Sequence, residues 1–396
     1  MAALTSVRIG VIGVGNMGSA HIEYLAKGAV PNATLAAVAD IDPARIDRLR
    51  ATHGDKLAYF DSAPALIASK KVDAVIIATP HYDHPPIAIS ALQAGLHVMS
   101  EKPAGVYTKQ VKELNAVAAT AGKIFGVMFN QRTIPAHQKV KDLLASGEVG
   151  EIRRVSYIIT NWLRSQAYYD SGGWRGTWAG EGGGVLMNQC PHNLDLFTWW
   201  CGVPSEVRAF CNFGRFHKIE VEDDVTAYLK FPNGATGTFV TTTGEAPGVN
   251  RLEIAGDRGL LTLDNERITF KRARKPIQEF IDTTPDHFPS AETWDCSIAG
   301  GSTGDQHRRV TEIFVAAIVK GTPLIAPGEE GIHGLTLANA MLLSTWLDKT
   351  VHLPFDDDLY WSELQKRIKT STFKKPQPSS APTTPVDISA TFAGAR

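Results

Sequence analysis

Lys102, Asn188 and His192 are the side chains of this sequence whose types and spacing could carry out chemistry on a hydroxyl group. Lys102 lies in a Ser-Glu-Lys-Pro motif at 100–103, and the other two lie in the glycine-led stretch GGGVLMNQCPHNLDLF at 182–197. Histidine titrates near neutrality, whereas a lysine accepts a proton only where burial or a nearby cation lowers its pKa. The pair therefore predicts removal of a hydroxyl proton, and the sequence leaves open which of the two is the base.

The same stretch also contains Cys190, His192 and Asp195, which raises the alternative of a metal site. Cys190 and His192 are two residues apart and would face different directions on a helix. A catalytic zinc also needs three well-placed protein ligands. We therefore expect no metal here.

A helical pattern at 184–200 sets the geometry of this stretch. Asn188, His192 and Asp195 fall at i, i+4 and i+7, which is one helical face. Pro191 would kink that helix or lie near its start, because proline lacks a backbone donor. We expect the stretch to form a substrate wall rather than a purely structural helix, with Asp195 holding His192 or capping local backbone.

A glycine-rich turn near the start predicts a dinucleotide site. GVGNMG directly follows the strand pattern VRIGVI and opens a helix pattern, so a pyrophosphate could approach the helix N-terminus. Asp40 ends the next strand, where its carboxylate could accept hydrogen bonds from ribose hydroxyls and repel a 2′-phosphate. No arginine stands at Ile41, so we expect NAD rather than NADP. The alternative is a glycine turn with a helix-capping Asp. The turn residues predicted to bind the cofactor are Gly13, Gly15, Asn16, Met17 and Gly18.

The elements that must position these groups follow two patterns. The first third alternates buried strands with helices, which predicts a doubly wound parallel sheet. After about residue 150, strand-like segments follow one another through turns, which predicts a large, mostly antiparallel open sheet in an α+β domain. The predicted division is a nucleotide-binding domain at 1–130, a substrate-binding and oligomerisation domain at 131–372, and a Pro/Ser/Thr-rich tail or arm at 373–396. The fold class is therefore α/β.

Composition excludes several classes of function. The net charge of -1 provides no field for nucleic acid or an anionic membrane. The four cysteines are scattered, with no C-x-x-C pair. The start lacks the cationic and apolar regions of a signal peptide, and no apolar run is long enough to span a bilayer. We expect a reduced, cytoplasmic protein.

Taken together, five segments resemble the glucose–fructose oxidoreductase/inositol dehydrogenase (Gfo/Idh/MocA) family. They are GVGNMG, ATPHYDH, GLHVMSEKPAG, GGWR, and the run GGG-x-x-x-N-x-x-x-H-x-x-D. The resemblance covers roughly residues 5–350, and Glu-Lys-Pro is its most specific element. It implies an N-terminal NAD(P)-binding Rossmann domain and a C-terminal domain whose open sheet makes homodimer or homotetramer contacts. It also implies oxidation or reduction of a secondary hydroxyl on sugars, cyclitols and related compounds.

The resemblance also assigns roles to residues of this sequence. Lys102 would flank the nicotinamide ribose and reach the substrate hydroxyl, and it would stabilise a developing alkoxide as hydride leaves for the nicotinamide. Two positions depart from the family pattern, which usually has Asn where this chain has His81 and Asp where it has Asn188. The further cofactor contacts that the resemblance implies are Thr79, Pro80, His84, Glu101, Asn130, Trp174 and Arg175.

The segment NWLRSQAYYDSGGWRGTW at 161–178 bears on the substrate. Aromatic faces stack on sugar C–H groups, and Arg164 could bond hydroxyls. The segment shows no cluster of several cations, which favours a neutral polyol or glycoside over a phosphorylated one. We hypothesise a pyranoside, glycoside or anhydrosugar oxidised at a secondary hydroxyl, with C3 as the position, bound by Lys102, Arg164, Asn188 and His192. The alternatives are a cyclitol dehydrogenase, a glycoside hydrolase that uses NAD transiently, and a dinucleotide sensor; the presence of Lys102 and His192 argues against the last.

Overall fold

The computed structural model describes residues 4–302 and 304–371 and contains two β-sheets with helices packed on them. The predicted tail at 373–396 lies outside the described residues. The strands are β1 Val7–Ile12, β2 Ala33–Ala39, β3 Ala58–Phe60, β4 Ala74–Ile77, β5 His97–Ser100, β6 Phe125–Val127, β7 Ile152–Ile159, β8 Glu206–Phe213, β9 Glu222–Lys230, β10 Thr236–Thr242, β11 Asn250–Gly256, β12 Gly259–Asp264, β13 Arg267–Ala273, β14 Thr293–Ile298 and β15 Val351–His352. The helices are α1 Asn16–Ala26, α2 Pro43–His53, α3 Ala63–Ala68, α4 His84–Gln93, α5 Thr108–Ala121, α6 Pro135–Ala145, α7 Gln166–Asp170, α8 Pro191–Cys201, α9 Ile277–Thr283, α10 Gln306–Lys320, α11 Gly331–Leu347 and α12 Asp357–Thr370.

The first sheet is parallel throughout and has the strand order β3-β2-β1-β4-β5-β6. Its central strand β4, AVII, is buried on both faces, as expected of a sheet with helices on either side. The predicted doubly wound sheet is therefore confirmed. The carboxyl ends of β1, β2, β4 and β5 share one edge, which brings the glycine turn, Asp40, Thr79 and Glu101 to the same side of the molecule.

The second sheet has nine strands in the order β14-β13-β12-β11-β7-β10-β9-β8-β15. Only β7 and β10 pair in parallel; the other neighbours are antiparallel, which confirms the predicted mostly antiparallel sheet. Helices α8 and α11 pack against one face. On the other face Phe210 of β8 and Tyr228 of β9 are exposed, so this face is open within the chain.

Helix α10 comes late in the chain but packs on the first sheet. Its buried residues Val310, Phe314 and Val315 share a core cluster with Ile9 and Val11 of β1. The sequence-based division placed this helix in the second domain. The division at residue 130 remains a prediction, and α10 lies on the far side of it in sequence while covering the nucleotide-binding sheet in space.

Candidate functional site

The glycine turn after β1 contains two glycines that the backbone packing requires and one glycine that lies beside open space. Gly13 has a φ of +92°, and a Cβ there would lie 2.6 Å from the carbonyl oxygen of Ala78. A Cβ at Gly18 would lie 1.8 Å from the oxygen of Gly13, whereas a Cβ at Gly15 would meet nothing within 4 Å. Helix α1 has no side-chain cap, so the N–H groups of its first turn, at Asn16 and Met17, can meet an anion at this open position.

Asp40 lies beside this turn and is buried. One of its carboxylate oxygens accepts from the backbone N–H of Val14 at 2.6 Å, and the other accepts from that of Asp42 at 2.9 Å. Arg45 also reaches Asp40 at 3.2 Å, a contact that the sequence argument, which considered only Ile41, did not include. Asp40 therefore holds the turn, although the helix-capping Asp at the start of α2 is Asp42. The Asp40 oxygen that accepts only from Asp42 retains a lone pair for a ribose hydroxyl.

The ends of β4 and β5 are held together by His84. Its ring nitrogens lie 2.8 Å from the carbonyl oxygens of Pro103 and Thr79, and burial lowers its pKa. The hydroxyl of Thr79 is buried without a hydrogen-bond partner, so it is available to a ligand. Pro80 follows and starts the short 3-10 turn at 81–83. His84 thus acts on this loop through backbone contacts.

Glu101 is paired with His21, a residue that the sequence argument missed. His21 Nε2 lies 2.8 Å from the carboxylate, and its pairing lowers the pKa of Glu101 to about 2 despite burial. The other ring nitrogen of His21 contacts the hydroxyl of Tyr24 at 2.5 Å. The sequence signal that could have identified His21 is its position in α1. It follows Gly18 by three residues and so lies on the same buried face of the helix.

Asn130 packs beside the first turn of α10, although it is far from that helix in sequence. Its amide nitrogen donates to Gln306 at 3.0 Å and lies 3.4 Å from the ring of His307, while its amide oxygen is buried without a partner. Residues 306 and 307 are far from Asn130 in sequence, so no local pattern could have predicted this cluster.

Lys102, after β5, lies close enough to His192 of α8 to act on it electrostatically. The amine of Lys102 donates to the carbonyl oxygen of Asn188 at 3.0 Å. Burial lowers the pKa of Lys102, and nearby Arg175 and Arg164 lower it further. Burial, with Lys102 nearby, lowers the pKa of His192 well below 6.5, and its Nδ1 has no hydrogen-bond partner. His192 is therefore neutral at physiological pH.

The predicted helix at 184–200 is wrong in its first half. Helix α8 begins at Pro191, which occupies the first helical position because its missing N–H costs nothing there. Asn188 consequently lies in the turn before the helix rather than one turn below His192. Asp195 does not hold His192: it accepts two hydrogen bonds from Arg132, at 2.8 and 2.6 Å.

The triple-glycine turn before α8 is held by Glu222. Its carboxyl accepts from the N–H groups of Gly184 and Leu186 at 2.8 and 3.0 Å. A Cβ at Gly184 would lie 1.9 Å from the carbonyl oxygen of Glu222, so only glycine fits. Burial raises the pKa of Glu222 to about 8. This contact fixes the path of the chain into the site.

The aromatic segment at 161–178 forms the rim of the site. The guanidinium of Arg164 lies 5.5 Å from the ring of Trp162 and 5.2 Å from that of Tyr168. Arg175 stacks on Tyr168 at 4.5 Å and donates to its hydroxyl at 2.6 Å, and Trp174 packs on His81 at 5.3 Å.

Charges of both signs surround Lys102 at this rim: Arg175 and Arg164 lower the pKa of its amine, and Glu101 and Glu181 raise it. Folding thus brings Lys102 near two arginines of the segment that are far from it in sequence, a grouping that the segment alone does not show.

Neither a metal cluster nor a membrane span is found in the part of the chain that the structure describes. Cys190 is buried, with its sulfur 2.8 Å from the hydroxyl of Thr241, in a different setting from His192.

Comparison with known proteins identifies the family. A model described as "Oxidoreductase family, NAD-binding Rossmann fold" matches residues 7–129, and one described as "GFO/IDH/MocA C-terminal domain" matches residues 137–262. Inositol 2-dehydrogenase of Rhizobium meliloti is 26% identical over 86% of this chain and 97% of its own. Levoglucosan dehydrogenase of Pseudarthrobacter phenanthrenivorans is 25% identical over 89% of this chain and 99% of its own.

A solved structure agrees in both fold and sequence. The WlbA dehydrogenase from Chromobacterium violaceum, in complex with NADH and UDP-GlcNAcA, has a TM-score of 0.76 and 28% identity, covering 89% of this chain and 97% of its own. The chain belongs to the GFO/IDH/MocA family and is an NAD-binding oxidoreductase.

Proposed function

We propose that this oxidoreductase oxidises a secondary hydroxyl of a sugar or cyclitol, with NAD as the hydride acceptor. The observation that carries the proposal is that Lys102 bonds to Asn188 and lies near His192. The 3.0 Å contact from Lys102 to the carbonyl of Asn188 joins the end of β5 to the turn before α8. The neutral imidazole of His192 and the amine of Lys102 thus lie near the edge of the sheet that carries the glycine turn.

The residues at the strand ends fit a dinucleotide. The open space at Gly15 and the uncapped start of α1 suit a pyrophosphate, and Asp40 suits the adenosine ribose. The unpartnered polar atoms of Thr79 and Asn130 would contact the remainder of the cofactor. Trp174, Arg175 and Glu101 complete the set assigned by resemblance. When bound, NAD supplies an acceptor for the hydride that leaves the substrate carbon.

We assign the role of base to His192. Its Nδ1 carries no hydrogen bond, and its lowered pKa keeps the ring unprotonated at neutral pH, so it can take the hydroxyl proton. Lys102 would then act as the cation that stabilises the developing alkoxide. Its hydrogen bond to Asn188 leaves two further N–H donors for the substrate oxygen.

The finer proposal for the substrate is a pyranoside, glycoside or anhydrosugar oxidised at C3. Trp162, Tyr168 and Trp174 offer aromatic faces at the rim, where Arg164 could bond hydroxyls. The levoglucosan dehydrogenase among the relatives supports an anhydrosugar, and the inositol 2-dehydrogenase keeps a cyclitol as the alternative.

A second candidate is a sugar that carries a carboxylate. Arg164 and Arg175 lie near Lys102, and two guanidinium groups beside the amine would favour an anionic group on the substrate. The similar WlbA dehydrogenase was solved with UDP-GlcNAcA. A uronate placed at this rim would pair with the arginines while its hydroxyl met Lys102.

The two remaining alternatives predict other outcomes. A hydrolase that oxidises transiently would release sugar from a glycoside without net NADH. A sensor would bind NAD and turn over nothing. Neither alternative draws support from the relatives named above.

The test is NADH absorbance with purified protein, NAD and a panel of methyl and aryl glucosides, levoglucosan, inositols and glucuronides. NADH with a neutral glucoside or anhydrosugar supports the first proposal, and product analysis then locates the oxidised carbon. NADH confined to glucuronides supports the second candidate. Sugar release without NADH would contradict both in favour of the hydrolase.

A further inference from the structure

Glu181 is a buried carboxylate that takes no part in the proton transfer proposed above. It is 1% exposed and follows the aromatic rim segment. One oxygen accepts from the backbone N–H of Gly176 at 2.5 Å, and the other accepts from the side-chain amide of Asn188. Its own carbonyl oxygen lies 3.3 Å from Nδ1 of His81. Glu181 therefore contacts the rim loop, the cofactor-side loop and the substrate wall together.

The contact with Glu181 decides which end of the Asn188 amide faces the site. The amide nitrogen is a donor and the amide oxygen an acceptor, and the two ends have nearly the same shape. The nitrogen donates to Glu181, whereas the flipped amide would set oxygen against carboxylate oxygen. The amide oxygen of Asn188 is thus turned away from Glu181 and left for a ligand.

A hydrogen bond links Lys102 to the residue that carries this amide. Lys102 donates to the backbone carbonyl of Asn188, so the amine proposed to hold the reacting hydroxyl contacts the same residue. Glu181 also acts on Lys102 directly, since it is among the charges that raise the pKa of the amine. Lys102, Asn188 and Glu181 are therefore neighbours at one point of the candidate site.

We infer that Glu181 is a positioning residue, which holds Asn188 with its amide oxygen toward the substrate. That oxygen accepts a hydrogen bond from a second hydroxyl, next to the one oxidised, so the site selects a vicinal diol. The inference rests on the proposed function for its catalytic consequence, although the contact between Glu181 and Asn188 can be tested without turnover.

The test exchanges the two functional groups. Asn188→Asp alone sets a half-buried carboxylate against the buried carboxylate of Glu181, because Glu181 then has no donor at this position. Glu181→Gln combined with Asn188→Asp restores a donor–acceptor pair with the polarity reversed. Gln189→Glu is the matched control, since its amide contacts Tyr168 rather than Glu181.

The first arm measures thermal unfolding from acid to alkaline pH without substrate. The melting temperature of Asn188→Asp is expected to fall progressively as the pH rises and the two carboxyl groups lose their shared proton. The double variant is expected to show the wild-type pH dependence again. Glu181→Gln should not rescue Gln189→Glu. A pH dependence of Asn188→Asp equal to that of the wild type would overturn the contact.

The second arm measures NADH formation with methyl glucoside or myo-inositol, whichever the wild type oxidises. Asn188→Asp should lower kcat/KM by roughly 100-fold, and the double variant should recover at least about tenfold. O-Methylation of the hydroxyl next to the oxidised carbon, which removes its donor, should raise KM in the wild type. Equal use of the methylated sugar would overturn the diol inference. Activity with neither compound would count against the proposed function, and the first arm would still decide the contact.

Discussion

His192 and Lys102 carry opposite demands on protonation, and burial lowers the pKa of both. The pKa of His192 lies well below 6.5, so the ring is a free base. Burial lowers the pKa of Lys102 from 10.5, with Glu101 and Glu181 opposing the shift. A neutral histidine and a cationic lysine coexist at any pH above the pKa of His192 and below that of Lys102.

The pH dependence of kcat/KM should report this pair. We expect an acid limb below 6.5, where His192 becomes protonated, and an alkaline limb below 10.5, where Lys102 loses its proton. His192→Gln should lower kcat by about 10²–10⁴-fold and abolish the acid limb. If Lys102 were the base instead, the rate would rise with pH through the pKa of Lys102, and His192→Gln would retain the profile.

Asp40 should determine cofactor affinity. Asp40→Ser removes a carboxylate next to Val14, and we expect it to weaken NAD binding by roughly 10- to 100-fold, which is the range of a lost charged hydrogen bond. Fluorescence titration with NAD and NADP measures this. Asp42→Ala is the matched control, since Asp42 caps α2 through the N–H of Ala44. An equal loss of NAD affinity in both variants would contradict the assignment.

At the scale of elements, the glycine turn and α1 form one unit in which each glycine has a separate reason. Gly18 lets the helix approach the strand, because a Cβ there would overlap the oxygen of Gly13. Gly15 meets nothing within 4 Å and has no such structural constraint.

Alanine at these two positions should therefore separate folding from binding. Gly15→Ala should unfold at nearly the wild-type temperature but bind NAD more weakly, since its methyl group occupies space meant for the pyrophosphate. Gly18→Ala should lower the melting temperature, because the overlap at 1.8 Å requires backbone movement. Thermal unfolding with and without NAD distinguishes these results. A large loss of stability in Gly15→Ala would show that the space is not open.

Local sequence patterns could predict most strands and helices, but not which side chains form hydrogen bonds with one another in the fold. Strand and helix periods predicted the parallel sheet and the antiparallel sheet, since these depend on neighbouring residues. The helix before Pro191 was wrong although proline's preference for the first helical position was readable from sequence. Arg132 with Asp195 and Glu181 with Asn188 were missed, because a carboxylate's donor is chosen by the tertiary fold.

At the scale of the whole molecule, the candidate site combines segments from both halves of the chain. Tyr82 donates to the carbonyl of Trp178 at 2.8 Å, and Lys102 donates to Asn188, so both loops of the first sheet contact the segment before α8. Arg132 adds a buried pairing between 130–133 and α8. Neither half of the chain holds the complete set of proposed catalytic and substrate-binding groups.

The open face of the second sheet should join copies of the chain. Phe210 is 59% exposed and Tyr228 is 51% exposed, and strand pairing puts both on one face. We expect a homodimer or homotetramer in light scattering, and a shift to smaller species in the Phe210→Glu, Tyr228→Glu variant. Phe288→Ser is the control, since Phe288 is 99% exposed outside the strands. A monomeric wild type would contradict this expectation.

The most direct test of the central claim is the joint yield of NADH and oxidised sugar from one reaction, measured with the wild type, Lys102→Met and His192→Gln. The account predicts equal amounts of NADH and ketosugar with the wild type, loss of both in each variant, and retained NAD binding in His192→Gln. Sugar oxidation that persists without Lys102 and His192, or NADH formed without a ketosugar, would contradict it.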